Sequence, residues 1–253
     1  MTITSSYGAF AYAYDKALGE RFFRSARRVL AQLLERYPTT DKTHLDLACG
    51  TGLAMEFFAA RGFRSIGIDA SLPMLSVART RAQRLVASDF RELPLRRRFS
   101  RITCLYDSLN HLKNRADLTA VFRAVRKVMA PDSLFFFDMN HPDVYPAVWG
   151  MKEPFVSSGP GFHLEMATAF RRRDATGLAL VSGWALLPSG RRVEIAERHE
   201  QRAYSEREIV ESLGEAGLVP AEVIDFDPFK DGGELEAEGV KLFFVCKAAS
   251  AEL

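Results

Sequence analysis

One short run near residue 46 constrains the fold of this chain more than any other feature. Residues 44–52 read His-Leu-Asp-Leu-Ala-Cys-Gly-Thr-Gly. This pattern is typical of a buried strand, a glycine turn and the start of a helix, which together let a ligand approach the end of the strand. Asp46 would direct a carboxylate into the cavity above the turn. A diphosphate needs N–H donors and positive dipole ends there, so the turn predicts a ligand that carries a cationic amine.

A second acidic residue follows seventeen positions after the turn. Residues 64–69 read as another short strand, and this strand ends at Asp69. A carboxylate at this position accepts hydrogen bonds from the hydroxyl groups of a ribose. The turn lacks the third glycine of the dinucleotide fingerprint. Two glycines alone are also compatible with a tight strand–helix turn that binds nothing, but the placement of Asp46 and Asp69 favours a ligand site.

Strands and helices alternate along the first 140 residues, and this alternation predicts the fold class. Apolar residues at a helical period indicate a helix over 21–37, which Pro38 ends. Ser71 and Pro73 indicate the start of another helix. Alternation of this kind implies right-handed crossovers and an α/β fold with a doubly wound, mostly parallel sheet of seven strands. The predicted strands of the sheet lie at 43–47, 66–68, 85–86, 102–106, 134–139, 219–226 and 242–246, and the predicted helices between them at 53–61, 72–83, 115–128 and 205–216.

The pattern changes after Asn140. Residues 163–170, 178–187 and 191–199 alternate partially between apolar and polar side chains and are separated by turn sequences. They predict an inserted antiparallel β meander. The chain is therefore expected to divide into a ligand-binding domain over 1–145 and 200–253 and an inserted subdomain over 146–199. Ser205 and Glu208 predict a capping box for the following helix.

Composition and charge exclude several classes of protein. No run of apolar residues is long enough to span a membrane, and no signal peptide is visible, so a cytoplasmic protein without a membrane partner is expected. The three cysteines lie apart, without metal-ligand spacing, so we expect small packed side chains and no metal site. The net charge is +2. Arginine clusters near 91–101 and 171–173 lack interleaved aromatic residues, so no nucleic-acid partner is expected.

The motifs taken together resemble those of a known family. The matching segments are LDLACGTG at 45–52, GIDAS at 67–71, ASDFREL at 87–93, ITCLYDSLNHL at 102–112 and PDSLFFFDMN at 131–140. The chain resembles the class I S-adenosylmethionine-dependent methyltransferases of the small-molecule type, including the amino-sugar N,N-dimethyltransferases. The resemblance implies a Rossmann-like sheet and S-adenosyl-L-methionine as the cofactor.

The resemblance also implies roles for individual residues around the cofactor. The methionine part would contact Asp46, Ala48, Gly50 and Gly52, and the ribose would contact Asp69 and Ala70. The adenine would contact Met74, Asp89 and Phe90, and the sulfonium would contact Leu105 and Tyr106. Asp89 would accept from the adenine amine, or it would cap a turn instead. Met74 and Phe90 could equally be core residues.

Two residues are candidates for catalysis. His111 follows the fourth strand, where the family places groups that face the acceptor, and an imidazole can take a proton from an ammonium or a hydroxyl. Tyr14 would close over the methyl group, and residues 1–14 are expected to cap the cofactor cavity. The alternatives are a structural histidine and a mobile surface tyrosine. Trp184 and His199 lie in the insertion, where core or edge positions are the favoured interpretation.

We therefore predict methyl transfer to N or O of a small-molecule acceptor by a monomer or homodimer. The insertion would form a lid that decides the acceptor. A nicotinamide-dependent oxidoreductase is the first alternative, although Asp46 and the missing third glycine argue against it. A non-catalytic module that binds the cofactor is the second. An RNA methyltransferase is disfavoured because no basic face is visible.

Overall fold

The computed structural model describes residues 7–227 and 240–249, and its main feature is a twisted sheet of seven strands. These strands are β1 (Thr43–Leu47), β2 (Arg64–Asp69), β3 (Leu85–Ala87), β4 (Phe99–Cys104), β5 (Met129–Asn140), β10 (Leu218–Phe226) and β11 (Lys241–Ala248). Their order is β10-β11-β5-β4-β1-β2-β3. Only β11 runs antiparallel to its neighbours. The predicted doubly wound, mostly parallel sheet is thus confirmed.

Helices cover both faces of this sheet. They are α2 (Glu20–Arg36), α3 (Leu53–Ala59), α4 (Leu72–Ala78), α5 (Arg115–Val128) and α6 (Glu206–Glu215), whereas the short helix α1 (Ala11–Tyr14) packs against α4. A π-helical turn, Asp15–Gly19, joins α1 to α2. One core cluster lies between the sheet and α5 with α6, and another lies between the sheet and α2 with α3. Burial of these apolar faces is the main term that stabilises the layers.

A second sheet contains four antiparallel strands in the order β6-β7-β8-β9. They are β6 (Phe155–Gly159), β7 (Phe162–Arg171), β8 (Thr176–Leu186) and β9 (Arg192–Arg202). The meander was predicted with three strands, and β6 was missed because it is a mostly exposed edge strand without apolar alternation. Strand β9 also continues past the predicted boundary at 199. Side chains from β7, β8 and β9 pack against Phe10 and Ala13 of the N-terminal segment.

Local signals in the sequence located the helix ends correctly in several places. The Ser71 hydroxyl accepts the N–H of Met74 at 3.2 Å at the start of α4. Ser205 and Glu208 form the predicted capping box at the start of α6.

The ends of two other elements were predicted too far along the chain. The predicted strand 102–106 ends earlier, at Cys104, because Tyr106 has a φ of +62°. The predicted helix 72–83 likewise ends earlier, at Ala78.

Two further expectations concern the interior and the membrane. All three cysteines are buried and free, as expected for small packed residues. Over residues 7–227 and 240–249, no helix combines the length and the apolar character needed to cross a bilayer. The polar residues 231–239 are also predicted to form a loop, and they lie outside the described residues.

Candidate active site

A cavity of about 930 Å³ opens at the carboxyl ends of β1, β2 and β4. The chain reverses its direction of travel across the sheet between β1 and β4, and ligands of open α/β sheets bind at such a point. Eleven of the predicted site residues line this cavity: Tyr14, Asp46, Ala48, Gly50, Asp69, Ala70, Met74, Phe90, Leu105, Tyr106 and His111. Gly52 and Asp89 are not among the lining residues.

The glycine turn after β1 is held by its neighbouring strand. Gly50 has a φ of +53° and donates its N–H to Asp69 Oδ2 at 2.8 Å. The other carboxylate oxygen of Asp69 accepts the N–H of Ser71 at 2.8 Å. In β2, a Cβ at Gly67 would lie 2.4 Å from Met55 Sδ, so only glycine lets the turn and α3 pack this closely. Asp69 therefore shapes the turn as well as lining the cavity.

Asp46 is buried at the floor of the cavity. Its Oδ1 accepts the hydroxyl of Thr103 at 2.6 Å. Burial, opposed by the hydrogen bond from Thr103 and assisted by the charge of Asp69, raises the pKa of this carboxyl group to about 7. A cationic amine above Asp46 would favour the ionised carboxylate. The donor set thus fits the amine and ribose of S-adenosylmethionine, although the individual contacts stay a prediction.

The adenine end of the predicted site is less complete. Met74 and Phe90 line the cavity, whereas the carboxylate of Asp89 faces Arg91. Asp89 Oδ1 accepts the backbone N–H of Arg91 at 2.8 Å, which is the turn-capping role that the sequence left as an alternative. Hydrogen bonds from the Arg91 side chain also hold the pKa of Asp89 below its usual range. The contact between Asp89 and adenine stays a prediction.

Residues 7–14 cover the cavity and do not join either sheet, as the sequence analysis predicted. Tyr14 packs edge-on against Tyr106 with ring centroids 5.6 Å apart. The alternative of a mobile surface tyrosine is therefore wrong. Sequence reasoning did not single out Tyr7, which also lines the cavity and places its hydroxyl 3.2 Å from His111 Nε2. Tyr7 lies in the aromatic run 7–14, and that run was its only signal.

Tyr7 has an unusual backbone conformation that its neighbours hold in place. Its φ is +60°, in the left-handed region. Its N–H donates to the buried carboxylate of Glu197 at 2.7 Å, and its carbonyl accepts the hydroxyl of Ser71 at 2.8 Å. Glu197 also accepts the N–H of Phe10 at 2.9 Å. The inserted sheet thus fixes the segment that covers the cavity.

His111 lies between Tyr7 and strand β9. Its Nδ1 is 3.0 Å from the carbonyl oxygen of Glu200, which can only accept, so Nδ1 carries the proton and Nε2 is an acceptor. Burial lowers the pKa of His111 to about 4. The imidazole is consequently neutral near pH 7 and presents an acceptor nitrogen toward Tyr7. His199 is buried on the same strand, as favoured from the sequence.

A buried ion cluster supports the end of β4, and sequence reasoning missed it. Asp138 accepts the N–H of Tyr106 at 2.6 Å and the N–H of Asp107 at 3.0 Å. Lys241 donates to Asp138 at 3.0 Å and also pairs with Asp107. Tyr106 and Asp107 both have positive φ values, so the cluster holds a strained backbone beside the cavity. The only signal was an aspartate inside the apolar run of β5.

Among the residues that the structure describes, no group of three or more His, Cys, Asp or Glu side chains could hold a metal ion. Trp184 of the insertion lies beneath the guanidinium of Arg192, which is 4.6 Å from the ring centroid. Trp184 is not among the residues that line the cavity. Trp184 is half-buried on the inner strand β8, paired with both β7 and β9, so it lies neither in the core nor at the edge of the sheet.

The chain is similar to known proteins in both sequence and fold. Residues 45–132 match a family described as a methyltransferase domain. A solved S-adenosylmethionine-dependent methyltransferase from Clostridium acetobutylicum superposes with a TM-score of 0.80 at 25% identity, covering 95% of this chain and 98% of that one. Residues 45–132 thus carry a methyltransferase domain, and nearly the whole chain shares the fold of an S-adenosylmethionine-dependent methyltransferase. The predicted family and the predicted cofactor are thus confirmed.

Curated relatives of this domain are named for different acceptor atoms. An N,N-dimethyltransferase of dTDP-3-amino-3,6-dideoxy-alpha-D-glucopyranose from Streptomyces fradiae is 33% identical over 132 residues, which is 50% of this chain and 51% of that one. A ubiquinone biosynthesis O-methyltransferase from Pseudomonas paraeruginosa (strain DSM 24068 / PA7) is 33% identical over 44% of this chain and 50% of its own. The chain spans about half the length of these curated relatives.

Proposed function

We propose that this protein transfers the methyl group of S-adenosylmethionine to a small-molecule acceptor, and that the acceptor atom is an amine nitrogen. One observation carries the proposal. A single cavity joins the acidic, glycine-bounded end of β1 and β2 to an aromatic region that contains Tyr7, Tyr14 and His111. The first part suits a nucleoside with a cationic amine, and the second suits an acceptor beside it.

In this proposal the residues at the strand ends bind and orient the cofactor. Asp46 accepts from the amine of its methionine part, Asp69 accepts from the ribose, and the backbone of Leu105 and Tyr106 lines the sulfonium side. The bound sulfonium supplies an activated methyl group, so catalysis depends mainly on alignment and exclusion of water. Tyr7 and Tyr14 cover the cavity and support that exclusion.

The state of His111 favours nitrogen over oxygen as the acceptor atom. A hydroxyl group must lose a proton to become a good nucleophile, and an imidazole whose pKa is lowered to about 4 is a weak base for that step. A neutral amine attacks with its own lone pair. His111 Nε2, which faces the Tyr7 hydroxyl in the structure, would then accept the amine N–H in place of that hydroxyl and orient the lone pair toward the methyl group.

The rim of the acceptor region favours a polar molecule. Lys113, Arg198 and Glu200 line this part of the cavity, and both Lys113 and Arg198 form an ion pair with Glu200. Arg198 and Glu200 belong to β9, so the inserted subdomain at 146–199, extended to the end of β9, would select the acceptor. An amino sugar combines an amine with several hydroxyl groups and suits such a rim. The names of sugar N,N-dimethyltransferases among the relatives support this choice.

The proposal extends to cell location and assembly. The three free, buried cysteines suit a reducing compartment, which supports the cytoplasm. The lack of a basic face interleaved with aromatic residues in the sequence supports a protein that binds no nucleic acid. A monomer or homodimer is expected. Cell fractionation and light scattering at several protein concentrations test these statements.

Methyl transfer can be tested with radiolabelled S-adenosylmethionine. The purified protein is incubated with a cell extract that is then split into small-molecule, protein and nucleic-acid fractions. Label is expected in the small-molecule fraction, in a compound whose amine becomes methylated. Label in a hydroxyl product would contradict the nitrogen assignment, and label in nucleic acid would overturn the acceptor class. Absence of label in every fraction, with the cofactor bound, would favour a non-catalytic module.

Replacing Asp69 tests the cofactor site directly. Asp69→Ala should weaken the binding of S-adenosylhomocysteine by about 1–3 kcal/mol, because ribose hydroxyls would lose their acceptor. It should also lower the free energy of unfolding by about 2 kcal/mol, because the N–H groups of Gly50 and Ser71 lose a charged partner. Calorimetry and urea unfolding measure the two effects. Unchanged affinity would contradict the ribose assignment.

Replacing His111 separates an orienting group from a strong base. His111→Ala should leave the affinity for S-adenosylhomocysteine unchanged and slow methyl transfer to an amine by less than the roughly hundredfold or greater loss of a general base. The pH–rate profile of the natural protein should show no step from His111 between pH 5 and 8, because its pKa is about 4. His163→Ala, on the outer sheet, is the control. A loss well above hundredfold would restore the role of base.

A further inference from the structure

Four polar side chains form a continuous line of hydrogen bonds across the centre of the main sheet. Ser65 Oγ of β2 is 2.9 Å from His44 Nδ1 of β1. His44 Nε2 is 2.8 Å from Thr103 Oγ1 of β4. The hydroxyl of Thr103 then donates to Asp46 Oδ1 at 2.6 Å. The line therefore ends at the carboxylate that lies at the floor of the cavity.

The direction of these hydrogen bonds follows from the charge at one end. An ionised Asp46 can only accept, so the single hydroxyl proton of Thr103 is committed to it. His44 Nε2 must then carry a proton and donate to Thr103 Oγ1, because two facing acceptors would repel. That leaves His44 Nδ1 as an acceptor for the hydroxyl of Ser65. Every proton in the line thus points toward Asp46.

The imidazole in this line is held rigidly and stays neutral. His44 is fully buried and stacks on Phe58, with ring centroids 3.7 Å apart and planes 10° from parallel. Burial lowers the pKa of His44 to about 3. It therefore orients Thr103 as a neutral donor at all pH values at which the enzyme would work.

We infer that Thr103, oriented by His44, is a positioning residue that holds the Asp46 carboxylate in the ionised form that receives the cofactor's amine. The inference rests on the proposed function, and it deepens the account of that site. The fold alone does not require these polar groups. Leu45, Leu47, Ile102 and Cys104 occupy neighbouring positions of the same strands with apolar side chains, and buried polar groups cost free energy unless they are fully paired.

Few other groups can influence the charge of Asp46. Asp69 on β2 faces it and carries the same charge. Burial raises the pKa of the thiols of Cys49 and Cys104, which therefore stay neutral. Among the described residues, no lysine or arginine shifts the pKa of Asp46. The hydroxyl of Thr103 is consequently the main group of the protein that opposes protonation of Asp46.

The test measures the affinity for S-adenosylhomocysteine by calorimetry between pH 5.5 and 9. In the natural protein the affinity should fall as the pH drops through about 7, because Asp46 becomes protonated. Thr103→Val should move this midpoint up by about one pH unit, so that binding at pH 7 is about fivefold weaker than in the natural protein and recovers by pH 9. Thr103→Ser should restore the natural profile. His44→Phe keeps the ring stack and should move the midpoint in the same direction by less.

A matched control is available in α5. The hydroxyl of the buried Thr119 has no hydrogen-bond partner within the described residues, so Thr119→Val should leave the pH profile unchanged. If Thr103→Val fails to fold, the midpoints measured for Thr103→Ser and His44→Phe still test the positioning role of Thr103. A midpoint that does not move in His44→Phe or Thr103→Val would overturn the positioning role. Failure of the natural protein to bind at any pH would instead overturn the proposed function, and this inference with it.

Discussion

Lys241→Met is expected to lower the free energy of unfolding by about 3–5 kcal/mol. Lys241 is buried between Asp107 and Asp138 and pairs with both carboxylates. Removing one partner of a buried ion pair is costly because the remaining charge is left uncompensated. Here two like charges would remain together. Urea unfolding at pH 8, followed by fluorescence, measures the loss.

The pH dependence of this variant distinguishes charge from lost packing. Without Lys241 the repulsion between the two carboxylates favours the uptake of a proton, so the pKa of Asp138, which burial already raises, rises further in the folded protein. A raised carboxyl pKa in the folded state means that stability is lost as the pH increases. The deficit should therefore be larger at pH 8 than at pH 5. An equal deficit at both values would contradict the electrostatic explanation.

Two further variants complete this experiment. Adding Asp138→Asn to Lys241→Met should recover part of the stability, because one of the two uncompensated charges is removed. Lys127→Met, at an exposed position of α5, should change the free energy of unfolding by no more than about 0.5 kcal/mol. The strained backbone at Tyr106 depends on Asp138, so Lys241→Met should also disturb the lining of the cavity and weaken cofactor binding.

Asp46→Asn is expected to have opposite effects on binding and on stability. At pH 8 it should weaken the affinity for S-adenosylhomocysteine by about 2–5 kcal/mol, or at least about thirtyfold, because the cofactor's amine loses a buried charged partner. Calorimetry measures this change. Asp132→Asn, at an exposed position at the start of β5, is the matched control and should leave the affinity unchanged.

The same substitution should stabilise the protein in the absence of cofactor. Burial raises the pKa of Asp46 to about 7 in the folded state, above its value in the unfolded chain. The ionised carboxylate therefore costs stability, and this cost grows as the pH rises from about 4 to 7. Asp46→Asn should raise the free energy of unfolding at pH 8 by a few kcal/mol. Unaltered stability would mean that the carboxylate is well solvated in the folded protein.

The two parts of the site differ in how far the sequence predicted them. Asp46, Gly50 and Asp69 lie within 24 residues of one another, in two strands whose ends and turn are visible as local patterns. The acceptor region was less predictable. His111 was recognised, but Tyr7 and Glu197, which hold the cover over it, are 190 residues apart. No local pattern connects such residues.

By itself, the sequence determined the order of the elements, the doubly wound sheet, the capped ends of α4 and α6 and the acidic ends of β1 and β2. These features follow from short-range alternation, capping and glycine placement. Only the tertiary structure decided which buried groups meet. The pairing of Lys241 with Asp107 and Asp138 requires β11 to insert antiparallel between β10 and β5. The low pKa of His111 and the high pKa of Asp46 arise from burial, which depends on how distant elements pack.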